Sequence, residues 1–354
     1  MNEGMPGRER WLRAMNRESI DRPPFDFWIE EVTKAQLLDY LGYNNIDQFL
    51  DEAQIDIRGV NAIEPPEKDL GGGIFQNHWG ERYKYKQFPL GKMRDDLPGA
   101  LSQANSLKEI QDFPWPKNDD YDYSGLRAHC GEIRGKGCAV RYGAGDVFQR
   151  PTLVRGLENA LVDMYENPEY IKYMSRLFTD FYLEDYRRAW EESGGMIDMF
   201  VIYSDLGSQQ GPLISIDMFM EFVKPYLHEM AELIHSFGAK LLFHSCGDVS
   251  SFIPEIIQTG ADILDPIQPV NENMEPEKLA CYKDSICFHG GIDLQKFLVK
   301  ATGKEIREKA HHYRKYLGPS YILGPTHFFQ PDVPSQNIVA LYQSFTSLLT
   351  AGND

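Results

Sequence analysis

Residues 240–269, KLLFHSCGDVSSFIPEIIQTGADILDPIQP, decide how the rest of the chain is read. Leu241, Leu242 and Phe243 run straight into His244, Ser245, Cys246 and Gly247, where the apolar run stops. Ser251–Thr259 reads as a helix, and "ADILDPI" as a second strand. Short apolar runs of this kind are the mark of strands buried on both faces, and a helix between two of them makes a parallel crossover unit.

The same rhythm extends in both directions. "CAVRYGAG" (138–145), "DMFVIYSDLG" (198–207), "SICFHGG" (285–291) and "SYILGPTH" (320–327) read as further strands. Helices are expected over "TLVRGLENALVDMY" (152–165) and from Asn167–Pro168 to Gly194–Gly195. Others run from Ser215 and Asp217 through His235, near Glu275–Tyr282, up to Tyr316, and over Asn337–Leu349. Strand–helix alternation of this length predicts an α/β fold, a (β/α)8 TIM barrel. One domain is expected over 1–354, with 138–354 as regular βα units and 1–137 as an N-terminal elaboration holding the first strands. In that elaboration "FDFWIEEV" reads as a strand entering a helix, and "IDIRGVNAI" as a short strand. "GGGIFQNHWGERYKY" reads as a Gly-rich turn before an antiparallel aromatic ribbon.

The bulk numbers exclude some partners. Of the 354 residues, 36 are Lys or Arg and 53 Asp or Glu, a net charge of −17 with a pI near 5.0. That sign repels phosphate backbones and anionic lipid, so neither nucleic acid nor membrane is an expected partner. No secretory h-region or apolar run of membrane-spanning length is read in the chain, and its five cysteines show no framework spacing. A cytoplasmic protein is the expectation.

Polar side chains close each apolar run: Asp205, His244 with Cys246, Gln268, His289 and His327. In a barrel these ends open on one face, where catalysis is built. Residues i and i+2 of a strand point the same way, so His244 and Cys246 can meet one ion, with His327 as a third ligand. Glu81 or Asp205 are the alternatives for completing the shell. The plainer reading is a buried cysteine beside a hydrogen-bonded core histidine. Asp205 suits a general base, a substrate anchor, a partner fixing a histidine tautomer, or a cap for the turn "DLGSQQG". His289 precedes Gly290–Gly291, where absent side chains would let a ligand approach. Trp28, Tyr142, Tyr203, Gln268 and Phe328 are candidates for lining a substrate pocket.

The stretches "GGMIDMFVIYSDLGSQQGPLIS", "CFHGGIDLQKFL", "YILGPTHFFQPDVPSQNIVALY" and the opening one together resemble the uroporphyrinogen decarboxylase superfamily over residues 138–350. The resemblance implies a (β/α)8 barrel. The Arg-Gln-Ala-Gly-Arg-Tyr segment of true decarboxylases is missing, and "RPPFDFWIEEVTKAQL" stands in its region. The His-x-Cys pair is similar to that of the zinc- and corrinoid-dependent methyltransferases, although His327 stands where thiol-methylating members have Cys. Taken with the strand-end reading, the expected centre is Zn2+ held by His244, Cys246 and His327, with Asp205 and His289 at the leaving group. One thiolate and two imidazoles would leave that ion one positive charge, a stronger Lewis acid toward an ether oxygen. The expected reaction is therefore transfer of a methyl group from a methoxylated, aromatic donor to the cobalt of a corrinoid protein. The expected partners are that protein and the small-molecule donor, with a homodimer left open. Alternatives are a metal-free decarboxylating lyase, methyl transfer to a thiol, or a corrinoid or tetrapyrrole binder without turnover.

Overall fold

The computed structural model describes residues 4–88 and 91–346. Eleven strands form among these residues: β1 (Ile57–Val60), β2 (Lys68–Gly71), β3 (Ile74–Gln76), β4 (Arg82–Phe88), β5 (Gly91–Leu97), β6 (Ala139–Asp146), β7 (Met199–Tyr203), β8 (Lys240–His244), β9 (Ile263–Ile267), β10 (Cys287–Ile292) and β11 (Tyr321–Pro325). β2–β5 make an antiparallel four-stranded ribbon, as the aromatic stretch suggested. The other seven form one curled parallel sheet in the order β1-β6-β7-β8-β9-β10-β11. An extended segment at Phe25 contacts both of its edges. There Leu323 N–H donates to Pro24 O and Asp26 N–H to Leu323 O, while Ile57 N–H donates to Phe25 O.

Side-chain parity sorts the sheet into two faces. Met199 and Val201 of β7, Leu242 of β8, Ile263 of β9, Cys287 of β10 and Ile322 of β11 share an inner cluster with Ile57 and Ala139. Helix Gly7–Met15 plugs this cluster with Trp11, Ala14 and Met15. The intervening residues, among them Phe200, Ile202, Leu241 and Phe243, pack outward on the helices in the larger cluster. Two residues further along each inner row the character changes from apolar to polar. Arg141, Tyr203, His244, Asp265 and His289 stand above Ala139, Val201, Leu242, Ile263 and Cys287. Register aligns the rows, with Tyr203 opposite His244 and His244 opposite Asp265. Gly59 and Gly324 share this layer and give it room. A Cβ at Gly59 would lie 3.2 Å from the Arg141 guanidinium, and one at Gly324 3.1 Å from the His289 ring.

Several predicted elements divide differently. The helix expected over 152–165 is two helices, Gln149–Arg155 and Leu157–Glu166, broken at Gly156, whose φ is 89°. The one expected through His235 breaks at Val223, ahead of Pro225, into Ile216–Phe222 and Lys224–Ser236. The long helix is continuous over Pro168–Ser193 and stops at left-handed Gly194. The last helix spans Ser335–Tyr342, and the part expected beyond residue 346 lies outside the described residues.

Candidate metal centre

Strand β8 ends at His244, and Cys246 follows in the turn, so both stand at the C-terminal edge of the sheet. The turn is set by glycine. A Cβ on Gly247 would lie 2.5 Å from the Gly207 carbonyl carbon, so the segments after β7 and β8 touch backbone to backbone. That contact brings Asp205 to the pair. The donor atoms of Asp205, His244 and Cys246 all lie within 4.8 Å of one another. His244 Nε2 is 3.5 Å from Cys246 Sγ and 3.7 Å from Asp205 Oδ1. Asp205 is held on both oxygens: Cys246 N–H donates to Oδ1 at 2.8 Å and the Gln149 amide to Oδ2 at 2.7 Å.

Behind these three lies a chain of buried charge. His244 Nδ1 donates to Asp265 Oδ2 at 2.5 Å, and His289 Nδ1 meets the other oxygen, Oδ1. His289 Nε2 contacts Asp26 Oδ2 at 3.1 Å, the oxygen that also takes the Trp28 indole N–H at 2.7 Å and pairs with Arg141. Burial alone would raise the Asp265 carboxyl, but the imidazoles of His289 and His244 outweigh it and hold it well below the usual range. For His289, burial opposes the charge, yet Asp265 and Asp26 push its pKa up to about 9. With a carboxylate against each ring nitrogen, both nitrogens donate, which is the protonated imidazole.

Aromatic rings close over the pair. Trp28 stacks on His244 with centroids 5.9 Å apart and 16° between planes, and Tyr203 lies 4.8 Å from the same imidazole. Phe328 packs on Trp28 at 5.3 Å. Beside Cys246 and His327 is a cavity of about 520 Å³ rimmed by Gln209, Gln268, Gln295 and Gln330. No Asp, Glu, Lys or Arg is among the described residues lining it.

Residues 151–348, more than half of the chain, match the family model for uroporphyrinogen decarboxylase. The chain belongs to the uroporphyrinogen decarboxylase family. Among solved structures, a methyltransferase from Methanosarcina mazei aligns over 96% of this chain and 98% of its own, with a TM-score of 0.66 and 15% identity, so the two share a fold. A structure described as a putative lyase/mutase from Burkholderia cenocepacia J2315 covers 95% of this chain and 84% of its own at a TM-score of 0.38 and 10% identity. A search of curated proteins found no match.

Within this family member, the residues picked out by sequence fall into three groups. His244, Cys246 and Asp205 converge, while His327 does not join their group. The His327 ring is 6.4 Å from that of His244, on the cavity side. Trp28, Tyr203, Gln268 and Phe328 surround the centre, with the Gln268 side-chain oxygen Oε1 accepting from Gly247 N–H. Tyr142 and His289 stand back from it. Tyr142 is 2% exposed and donates its hydroxyl to Asp185, and His289 is 1% exposed between two carboxylates. Glu81 is bound by Arg94, Arg150 and Asn77, away from the centre. The space that Gly290 and Gly291 leave is filled by protein. A Cβ there would meet Pro266 and Pro325 at 3.1 Å, or Tyr313 at 2.4 Å, so no ligand approaches at that point. Asp26, Arg141, Asp265 and Gln149 complete the site and were not among the candidates. The first three are charged residues inside apolar runs, which is a readable signal.

Proposed function

We propose that this protein is a zinc-dependent methyltransferase that moves a methyl group from a methoxylated, aromatic donor to the cobalt of a partner corrinoid protein. One observation carries the reading: a thiol, an imidazole and a carboxylate converge at the strand ends, and the imidazole is oriented from behind by a carboxylate. This donor set suits Zn2+, and the Asp265–His244 contact is the buttress that metal-bound histidines commonly have. His244 commits Nδ1 to Asp265, which leaves Nε2 for the ion. Zinc, when bound, supplies Lewis acidity to the donor oxygen.

The ligand set proposed is His244, Cys246 and Asp205, in place of His327. One imidazole, one thiolate and one carboxylate leave the ion no formal net charge, where one thiolate and two imidazoles would leave +1. The ion is thus the weaker Lewis acid, and the leaving oxygen calls for a separate proton donor. His327 then serves the substrate: its ring stands beside the cavity and donates a hydrogen bond to the oxygen that departs. Trp28, Tyr203 and Phe328, packed around His244 and not in the lining of the cavity, would face the reacting end of a flat donor. The uncharged cavity favours a neutral ligand over a polycarboxylate, which would call for cations. In the transfer the methyl–oxygen bond breaks with its electron pair on oxygen, cobalt provides the pair for the new carbon–cobalt bond, and the oxygen takes up a proton. We also read the Phe25 segment as the eighth strand of a (β/α)8 barrel, and the whole chain as a single domain around it.

Elemental analysis of the purified protein, with a screen of methoxylated aromatics and reduced cobalamin, tests this. One zinc per chain is expected. Asp205→Asn should lose the metal, and His327→Ala should keep it while losing methyl transfer. Wild-type protein that takes up no zinc, or that loses it only in His327→Ala, would refute the assignment.

A further inference from the structure

The strongest feature outside the ligands is the row that runs inward from His244. Asp265 has two oxygens, and each is claimed by one imidazole: Oδ2 by His244 and Oδ1 by His289. A carboxylate turns easily about its last torsion, which is broad and two-fold. Fixing one oxygen therefore fixes the direction of the other. His289 is itself held on its far side by Asp26, which also takes the Trp28 indole, the Phe27 backbone N–H and Arg141. Gly324 lies so close to the His289 ring that a side chain there would collide with it. The ring is wedged, and it has nothing to offer a substrate.

We infer that His289 and Asp26 are positioning residues for the metal centre, acting through Asp265 to hold the His244 ring so that Nε2 points at Cys246 Sγ. The inference rests on the metal reading above. It gives His289 a place behind the ligands instead of at the leaving group. Asp26 lies in the Phe25 segment that touches β11 on one side and β1 on the other. Seating of that segment and affinity for the ion are therefore linked.

The test is zinc affinity by competition with a chromophoric chelator, together with the visible absorption of the cobalt(II)-substituted protein. Wild type is compared with Asp26→Asn, His289→Leu and His289→Asn. His289→Leu should weaken zinc binding by on the order of tenfold or more, as loss of an outer partner of a metal ligand commonly does, and should alter the cobalt(II) spectrum. His289→Asn, whose amide can still donate toward Asp265, should recover most of that loss. In an Asp265→Asn background, His289→Leu should cost nothing further, because the path runs through Asp265. A folded His289→Leu or Asp26→Asn protein with wild-type zinc affinity and an unchanged cobalt spectrum overturns the inference while leaving the metal reading standing. Wild-type protein with no zinc affinity overturns both. If the leucine variant does not fold, Asp26→Asn decides the matter, since it removes the charge that holds the His289 ring and keeps the size of the side chain.

Discussion

Gly247 has a φ of 84°, and its α-carbon faces the Gly207 backbone at a distance that excludes any side chain. Both conditions single out glycine, one by backbone strain and one by contact. Gly247→Ala should therefore destabilise the fold by about 2 kcal/mol or more, the cost of overpacking added to that of a left-handed backbone. The following residues would have to move away from Gly207, and Cys246 would move with them. Thermal melts and zinc stoichiometry of the variant check both effects, and an unchanged melting temperature would show that the two turns are not in contact. At this scale the sequence announces His244 and Cys246, because a thiol and an imidazole two apart at a strand end are conspicuous. It announces Asp26, Arg141 and Asp265 more quietly, as charges within "FDF", "AVRY" and "ILDPI". What it withholds is which of them meet. Asp265 pairs with His289, and His289 with Asp26, through strand register and curvature that no local spacing encodes.

β6, the segment before it and the long helix are tied together at Asp185. The Tyr142 hydroxyl from β6 and the Tyr123 hydroxyl from the segment before β6 both donate to Asp185 Oδ1, which the helix Pro168–Ser193 presents. Burial raises the Asp185 carboxyl to about 6, against the pull of these hydroxyls. Its folded-state pKa stands above the unfolded value, so it contributes stability below about pH 4 that is lost as the pH rises through about 6. The size of that contribution is on the order of 3 kcal/mol. Asp185→Asn keeps an oxygen for both tyrosines and removes the titration, so its stability should vary less than that of wild type between pH 4 and pH 7. Urea melts across that range measure the difference, and parallel curves would mean that Asp185 titrates normally. The element scale is also where the sequence reads best. β6 to β11 are apolar runs bounded by polar residues, and each was legible. Helix lengths were less so, because the pattern of buried positions continues across the breaks at Gly156 and Val223. The Phe25 segment was legible as a strand in "FDFWIEEV", but its two neighbours in space are the first and last strands of the sheet. That pairing is a property of the whole.

Across the molecule, the proposed ligands and their supports come from the Phe25 segment, β6, β8, β9, β10 and the turns after β7 and β8. An ion held there cross-links parts of the chain far apart in sequence, and it does so only in the folded state. Binding to the folded state alone raises stability by about 2.7 kcal/mol when free zinc stands at one hundred times its dissociation constant. For a chain of this length that corresponds to a rise of about 4 °C in melting temperature. Chelation should reverse the rise, and Asp205→Asn should melt at the same temperature with or without zinc. The overall charge of −17 attracts divalent cations to the surface without specificity, so magnesium must be the control. A melting temperature that follows zinc in wild type, ignores equal magnesium, and ignores both in Asp205→Asn places the ion among the three side chains. One that rises equally with either cation puts it on the acidic surface and leaves the triad as an ordinary hydrogen-bonded cluster.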